Sequence, residues 1–410
     1  MSRLLSFEIT LTQKILVAVG ATACLTAACG DDETSTGGGG SGGGTTSSTT
    51  SGQTTTSAST TTSSTTASTT ASTGTGQGGG GGAGGGDGGG GGGVAVERCW
   101  PASLGDPPCP PLAEAGTVYP CTIDSEVVNE WVSGPDLVNG ECCYQVEVGP
   151  PNDPTCAVIG RPLVVDGRPA RAPIARGDQG WSASPSRPRV EGLDSKTRAR
   201  LARAWADDAS YEHASVASFA KLSLELLALG APAELVRAAH EAALDEIRHA
   251  ELGFALASAY AGEPVSPGPL AEAVRAPLAR DLPALVAAAV REGCVGETLA
   301  ALVASAQHDA ATDEAVISSL AVVRADEARH AELAWKLVAW ALRSGGADVR
   351  AAAEEAFAAA AADLASVRAE DTWSVHPHGR LSEREMLDVR RRGLELVVRP
   401  AMEALLASEV

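Results

Sequence analysis

Two stretches of the chain carry the same polar signature. Residues 245–252 read DEIRHAEL and residues 326–333 read DEARHAEL, identical at seven of eight positions with an offset of 81. Each contains Glu-x-x-His, as Glu246 with His249 and Glu327 with His330. Residues three apart share a helix face, so each copy offers one carboxylate and one imidazole to the same point. Oxygen and imidazole donors suit iron or manganese, and zinc fits as well.

The elements that must carry these residues begin near residue 194, where the composition turns to Ala, Leu, Glu and Arg. A first helix is expected from Ser195 to Leu229, capped by Asp194 or Ser195 and stopped by Gly230. A second follows from Pro232 to Tyr260, with Gly262 as its stop. Residues 263–280 hold four prolines and form a broken crossover. A third helix starts at Asp281, with Pro283 in its first turn, and ends near Asp309. A fourth starts at Thr312 or Asp313 and ends before Gly345, and two more follow near 347–369 and 382–408. Short loop, long crossover and short loop predict a mainly α protein built on a four-helix bundle with one long crossover.

The apolar stripes of these helices run through the polar signature. Helix two steps through Leu235, Ala239, Ala242, Glu246, His249, Gly253 and Leu256. Helix four steps through Val316, Leu320, Val323, Glu327, His330, Ala334 and Leu337. Helix one offers Glu212 between Trp205 and Phe219, and helix three offers Glu297 between Val290 and Ala304. Glu292 competes with Glu297, because it lies 35 residues before Glu327. Glu297 is preferred: its midpoint with Glu327 is Thr312, at the turn, and the midpoint of Glu212 and Glu246 is 229, beside Gly230. Residues equidistant from a tight turn come level in antiparallel helices.

Four inward carboxylates cost several kcal/mol each unless neutralised. Two divalent cations balance the four charges of Glu212, Glu246, Glu297 and Glu327, with neutral His249 and His330 completing the set. Of the other histidines, His213, His240 and His308 are expected at the surface, and His376 and His378 in a loop. Cys294 is expected as a small core residue.

With these residues in place, residues 195–345 resemble the ferritin-like di-iron carboxylate superfamily. They are most similar to rubrerythrins, the di-iron tRNA hydroxylases and the bacterial multicomponent monooxygenases, which carry Glu-x-x-His on both the second and fourth helices. The resemblance implies a ferritin-like bundle, two iron ions and reaction with O2 or peroxide. It also implies that Asp245 and Asp326 support the imidazoles, with Arg248 and Arg329 pairing with an Asp or a bridging Glu.

The rest of the chain frames this domain. Arg3 and Lys14 precede an apolar run, Ile15 to Ala28, too short to span a bilayer. Its end, Leu25-Thr26-Ala27-Ala28-Cys29, resembles a lipoprotein cleavage site, with Cys29 carrying lipid and Cys24 the weaker rival. Residues 1–28 are therefore expected as a lipoprotein-type signal and 29–93, almost wholly Gly, Ser and Thr, as a flexible tether. Residues 94–165 hold Cys99, Cys109, Cys121, Cys142, Cys143 and Cys156, expected as three disulfides in an exported module with 15 pairings open. Its strand-like runs are 144–148 and 163–165, and 166–193 is expected as a linker. The bundle takes 194–345 and the C-terminal helices 346–410.

A net charge of −20 excludes a nucleic-acid partner. The expected protein is a di-iron oxidoreductase of peroxidase, oxidase or hydroxylase type, lipid-anchored in the bacterial cell envelope, and a homo-oligomer is compatible with it. A non-catalytic or ferroxidase-like metal-binding lipoprotein is the alternative. It is favoured by the lack of any Cys-x-x-Cys pair to supply electrons.

Overall fold

The computed structural model describes residues 2–20, 95–101, 128–138, 141–148, 161–165, 168–177, 179–182, 187–369 and 373–407, together with Cys109, Pro111, Leu112 and Ala115. Cys24, Cys29, Cys121, Cys156 and the Gly/Ser/Thr run lie outside the described residues. The protein is mainly helical. None of its described helices is long and apolar enough to cross a membrane.

A three-stranded antiparallel sheet holds part of the cysteine-rich segment, with strands β1 (Val96–Pro101), β2 (Val128–Val138) and β3 (Glu141–Val148) in the order β1-β3-β2. Cys99 stands opposite Cys143 in the register and is bridged to it, and Cys109 is bridged to Cys142. Tyr144 and Val146 alternate with Cys143 and Gln145 along β3 and bury with the Cys109–Cys142 bridge and Ala115.

Residues 166–193, expected as a linker, are partly structured. β4 (Val164–Val165) pairs with β5 (Arg168–Pro169), and β6 (Ile174–Arg176) pairs with β7 (Val265–Pro267) in the crossover. The reason is apolar: Leu163 and Val165 bury against Ala214, so this segment lies on the helical body.

The helices follow their capping chemistry. Helix α1 covers Ser2–Ala18. Helix α2 (Ser195–Ala228) is capped by Asp194, which accepts from Thr197 N–H. Helix α3 (Ala233–Ala261) ends at Gly262, whose φ of 81° is left-handed and favours glycine. Asp281 caps α4 (Leu282–Ala288) by accepting from Ala284 N–H. The helical path then continues through a π-helical segment, Ala289–Glu297, into α5 (Thr298–Ala310). Asp313 caps α6 (Glu314–Ser344) by accepting from Ala315 and Val316. Helices α7 (Ala347–Ser366), α8 (Glu383–Gly393) and α9 (Arg399–Ala407) close the chain, with a Ser382/Glu385 capping box on α8.

Helices α2 and α3 pack along their length, α6 packs on α5 and the π segment, and α3 meets α6 across the middle. Gly253 permits the close approach of α3 to α2, since a Cβ there would lie 2.8 Å from Ala209 Cβ. Two apolar clusters form. One contains Leu201, Trp205, Ala209, Phe254, Tyr260 and Leu320. The other contains Phe219, Leu222, Ala242, Ala334 and Leu337. Between them α2, α3 and α6 each present a polar layer, at Glu212, at Glu246 and His249, and at Glu327 and His330.

Helix α1 lies within the residues expected as a signal. The N-terminal half of the predicted signal packs on α5, α6 and α9, burying Leu11, Ile15 and Val19, while Glu8 accepts from Arg392 at 2.6 and 2.8 Å.

Candidate metal centre

The polar layer brings six side chains together. Glu246, His249, Glu297, Glu327 and His330 are each 3% exposed or less. Glu212 is the most open, its side chain 28% exposed at the floor of a narrow cleft. Two donor groups overlap: Glu212, Glu246, His249 and Glu327 in one, and Glu246, Glu297, Glu327 and His330 in the other, with the donor atoms of each within 4.8 Å of one another. This buried Glu/His cluster could hold a metal ion. Glu246 and Glu327 belong to both groups, the placement expected of carboxylates shared by two cations.

Both imidazoles turn Nδ1 inward. His249 Nδ1 lies 3.2 Å from Glu327 Oε1, 3.6 Å from Glu246 Oε2 and 3.8 Å from Glu212 Oε2. His330 Nδ1 lies 3.1 Å from Glu246 Oε1 and 3.7 Å from Glu327 Oε2. His249 Nδ1, His330 Nδ1, Glu246 Oε2 and Glu297 Oε1 are all buried without a hydrogen-bond partner. Buried polar atoms are ordinarily satisfied. Four orphans converging on one spot, all oxygen or imidazole nitrogen, fit a pair of divalent cations of the iron, manganese or zinc kind.

The outward nitrogens are exchanged between the two copies of the octapeptide. His249 Nε2 of α3 meets Asp326 of α6 at 3.1 Å, and His330 Nε2 of α6 meets Asp245 of α3 at 3.4 Å. An Nε2–H donating to carboxylate leaves Nδ1 free to act as a ligand. Arg248 and Arg329 complete a square of alternating charge. Arg248 donates to Asp245 at 2.6 Å and to Asp326, and Arg329 donates to both aspartates at 2.7 Å. Burial raises the Asp326 carboxyl, but His249 and the two arginines outweigh it and hold it at about 2.

Electrostatics divide the four glutamates. Burial, then the charge of Glu246, pushes Glu212 well above the usual carboxylate range, and burial with Glu327 does the same to Glu297. Glu246 and Glu327 go the other way: burial opposes ionisation, yet the His249 and His330 rings lying against them keep them low. His249 and His330 are raised well above ordinary histidine, because their carboxylate partners outweigh the burial that disfavours their charge. Without cations, these directions favour protons on Glu212, Glu297, His249 and His330, a set whose net charge is zero. Two divalent ions replacing those four protons also leave it at zero.

The choice between Glu292 and Glu297 has a structural answer. Only Glu297 reaches a donor group, while Glu292 pairs with Arg161 at 3.3 Å. Both turn inward because they are five residues apart, one step of the i→i+5 bonding of the π segment. Cys294 is in the core as expected, its thiol pushed well above the usual range by burial, which makes it inert. His240 is exposed as expected, while His308 differs from its expected surface place, being half-buried beside Asp309. His213 differs from its expected surface place, being half-buried with its ring against Trp181. His378 is buried, with Nδ1 2.8 Å from the Tyr260 hydroxyl, while His376 is exposed and pairs with Glu385 at 3.0 Å.

One functional-looking residue was not anticipated. Arg161, 4% exposed, reaches the layer from outside the four helices and lies 3.9 Å from Glu297. No periodicity marks it, and its only sequence signal is a basic residue beside an apolar run, Pro162 to Val165. Set against known proteins, the chain matches no family model, no curated protein and no solved structure.

Proposed function

We propose that the helical body is a ferritin-like four-helix bundle holding a di-iron, or mixed iron and manganese, carboxylate centre, and that the protein is an oxidoreductase acting on O2 or peroxide. The observation that carries this reading is the overlap of the two donor groups at Glu246 and Glu327. Glu212 and His249 would complete one position, and Glu297 and His330 the other. When bound, the metal pair supplies a reversible change of oxidation state and free coordination positions.

The chain's own residues do the rest. Asp326 and Asp245 hold the protons on the outward nitrogens. The apolar neighbours shield the carboxylates from water, which strengthens their hold on a cation. The cleft over Glu212 and His249 encloses ≈ 60 Å³ between Trp205, Leu252, Leu320 and Val323. That is room for a two-oxygen molecule and too little for a large organic substrate.

The same cleft favours the ferroxidase-like alternative over a hydroxylase. Peroxide consumption by the iron-loaded full-length protein separates the readings. Sustained turnover with a small reductant present is the expected result. A single stoichiometric reaction supports the ferroxidase-like reading, and no reaction at all overturns both.

We also place the protein in the bacterial cell envelope, lipid-anchored through Cys29. Leu25 to Cys29 and the Gly/Ser/Thr run that follows support this. Cleavage before Cys29 takes α1 away and uncovers its seat on α5, α6 and α9. The expected mass of the mature chain is that of a lipidated protein starting at Cys29, and a chain retaining residues 1–28 contradicts the anchor.

A further inference from the structure

We propose that Arg161 sets the cation affinity and reduction potential of the position built by Glu246, Glu297, Glu327 and His330, acting through Glu297; this rests on the dimetal reading above. Arg161 is held rigidly. Ser215 Oγ donates to its carbonyl at 2.8 Å, Ser218 Oγ donates to Pro162 O at 3.4 Å, and Leu163 packs on Ala214. The guanidinium lies over the Phe219 ring, 5.0 Å from its centroid, and the same ring stands 5.0 Å from His330. Gly293 lies beside it: a Cβ there would lie 2.3 Å from Ala334 Cβ and 3.1 Å from Arg161 Nη2.

Its two edges face two acids. Nη1 donates to Glu292 Oε2 at 3.3 Å. Nε faces Glu297 Oε1 at 3.9 Å, and both of these buried atoms are without hydrogen-bond partners. Arginine carries a permanent positive charge. Placed against a ligand carboxylate in a water-poor layer, that charge opposes any further positive charge on the metal. It weakens divalent binding at this position and disfavours the trivalent state more strongly, so it raises the reduction potential. Glu292, its side chain 16% exposed, cancels part of the effect from the far edge.

The two partners must therefore act with opposite sign. In the full-length protein, Arg161→Gln is expected to tighten zinc at this position and lower the iron reduction potential. Glu292→Gln is expected to weaken zinc and raise the potential, and Arg161→Lys is expected to stay near the wild type. A tenfold change in relative stability of the oxidation states corresponds to about 59 mV for one electron, and shifts of roughly that size are expected. Zinc affinity is read by competition with a chromophoric chelator and potential by spectroelectrochemistry, with circular dichroism to check folding. Shifts of the same sign in Arg161→Gln and Glu292→Gln, or no shift in either, overturn the proposal. If Arg161→Gln does not fold, the direction of Glu292→Gln alone decides. A wild type that binds no ions overturns the dimetal reading, and this proposal with it.

Discussion

Glu246→Ala is expected to empty both metal positions and to destabilise the fold more with metal present than with metal removed. Glu246 is 1% exposed and stands in both donor groups. Its loss takes one donor from each cation, whereas Glu212→Ala takes a donor from one position only. A cation held at a thousand times its dissociation constant stabilises the fold by about 4.1 kcal/mol. For a folded unit of 150–250 residues, each cation lost is a drop in Tm of roughly 8–16 °C for the variant in the presence of metal. With a chelator present the loss is smaller but keeps its sign: no bound cation is forfeited, and what is lost is one of the two carboxylates, Glu246 and Glu327, that balance the His249 and His330 imidazoliums. Differential scanning calorimetry with and without chelator checks both halves. Equal destabilisation in the two conditions would mean that Glu246 serves only packing.

Metal affinity is expected to rise steeply with pH, with about four protons released as two ions bind near neutral pH. Glu212 and Glu297 are raised well above the carboxylate range, by burial first and by neighbouring carboxylates second. His249 and His330 are raised well above ordinary histidine by carboxylates that outweigh burial. All four are protonated in the empty site and unprotonated when they ligate a cation. Binding therefore expels protons, and lowering the pH opposes it. Ordinary values would leave the glutamates already ionised and the histidines mostly neutral, and release would approach zero above pH 7. Titration calorimetry in two buffers of different ionisation enthalpy counts the protons directly. A release near zero at pH 7.5 would sink the charge-exchange picture.

Much of the site was legible because the octapeptide repeats and its Glu and His letters fall on apolar stripes. Buried polar residues at helical spacing are costly enough to stand out from a solvated face. The helix ends were legible for a similar reason: Asp194, Asp281 and Asp313 each accept a backbone N–H, and Gly262 takes a left-handed conformation. What stayed hidden depends on contacts between distant segments. The exchange of Asp245 and Asp326 between helices needs the two copies face to face, which one helix at a time does not reveal. The π segment adds to the difficulty, since reading at 3.6 residues per turn forces a choice between Glu292 and Glu297 that i→i+5 bonding removes. Arg161 belongs to no periodic stripe at all. Helix α1 has a stripe, Leu11, Ile15 and Val19, whose seat on the helical body no local pattern in residues 2–20 foretells.

The central claim is that this layer exists to hold two cations. The most direct measurement is metal content per folded chain after purification without chelator, by elemental mass spectrometry, for wild type and Glu246→Ala side by side. Two transition ions per wild-type chain and fewer than one in the variant is the predicted result. A wild type with no stoichiometric metal, or a variant that keeps both ions, would contradict the account.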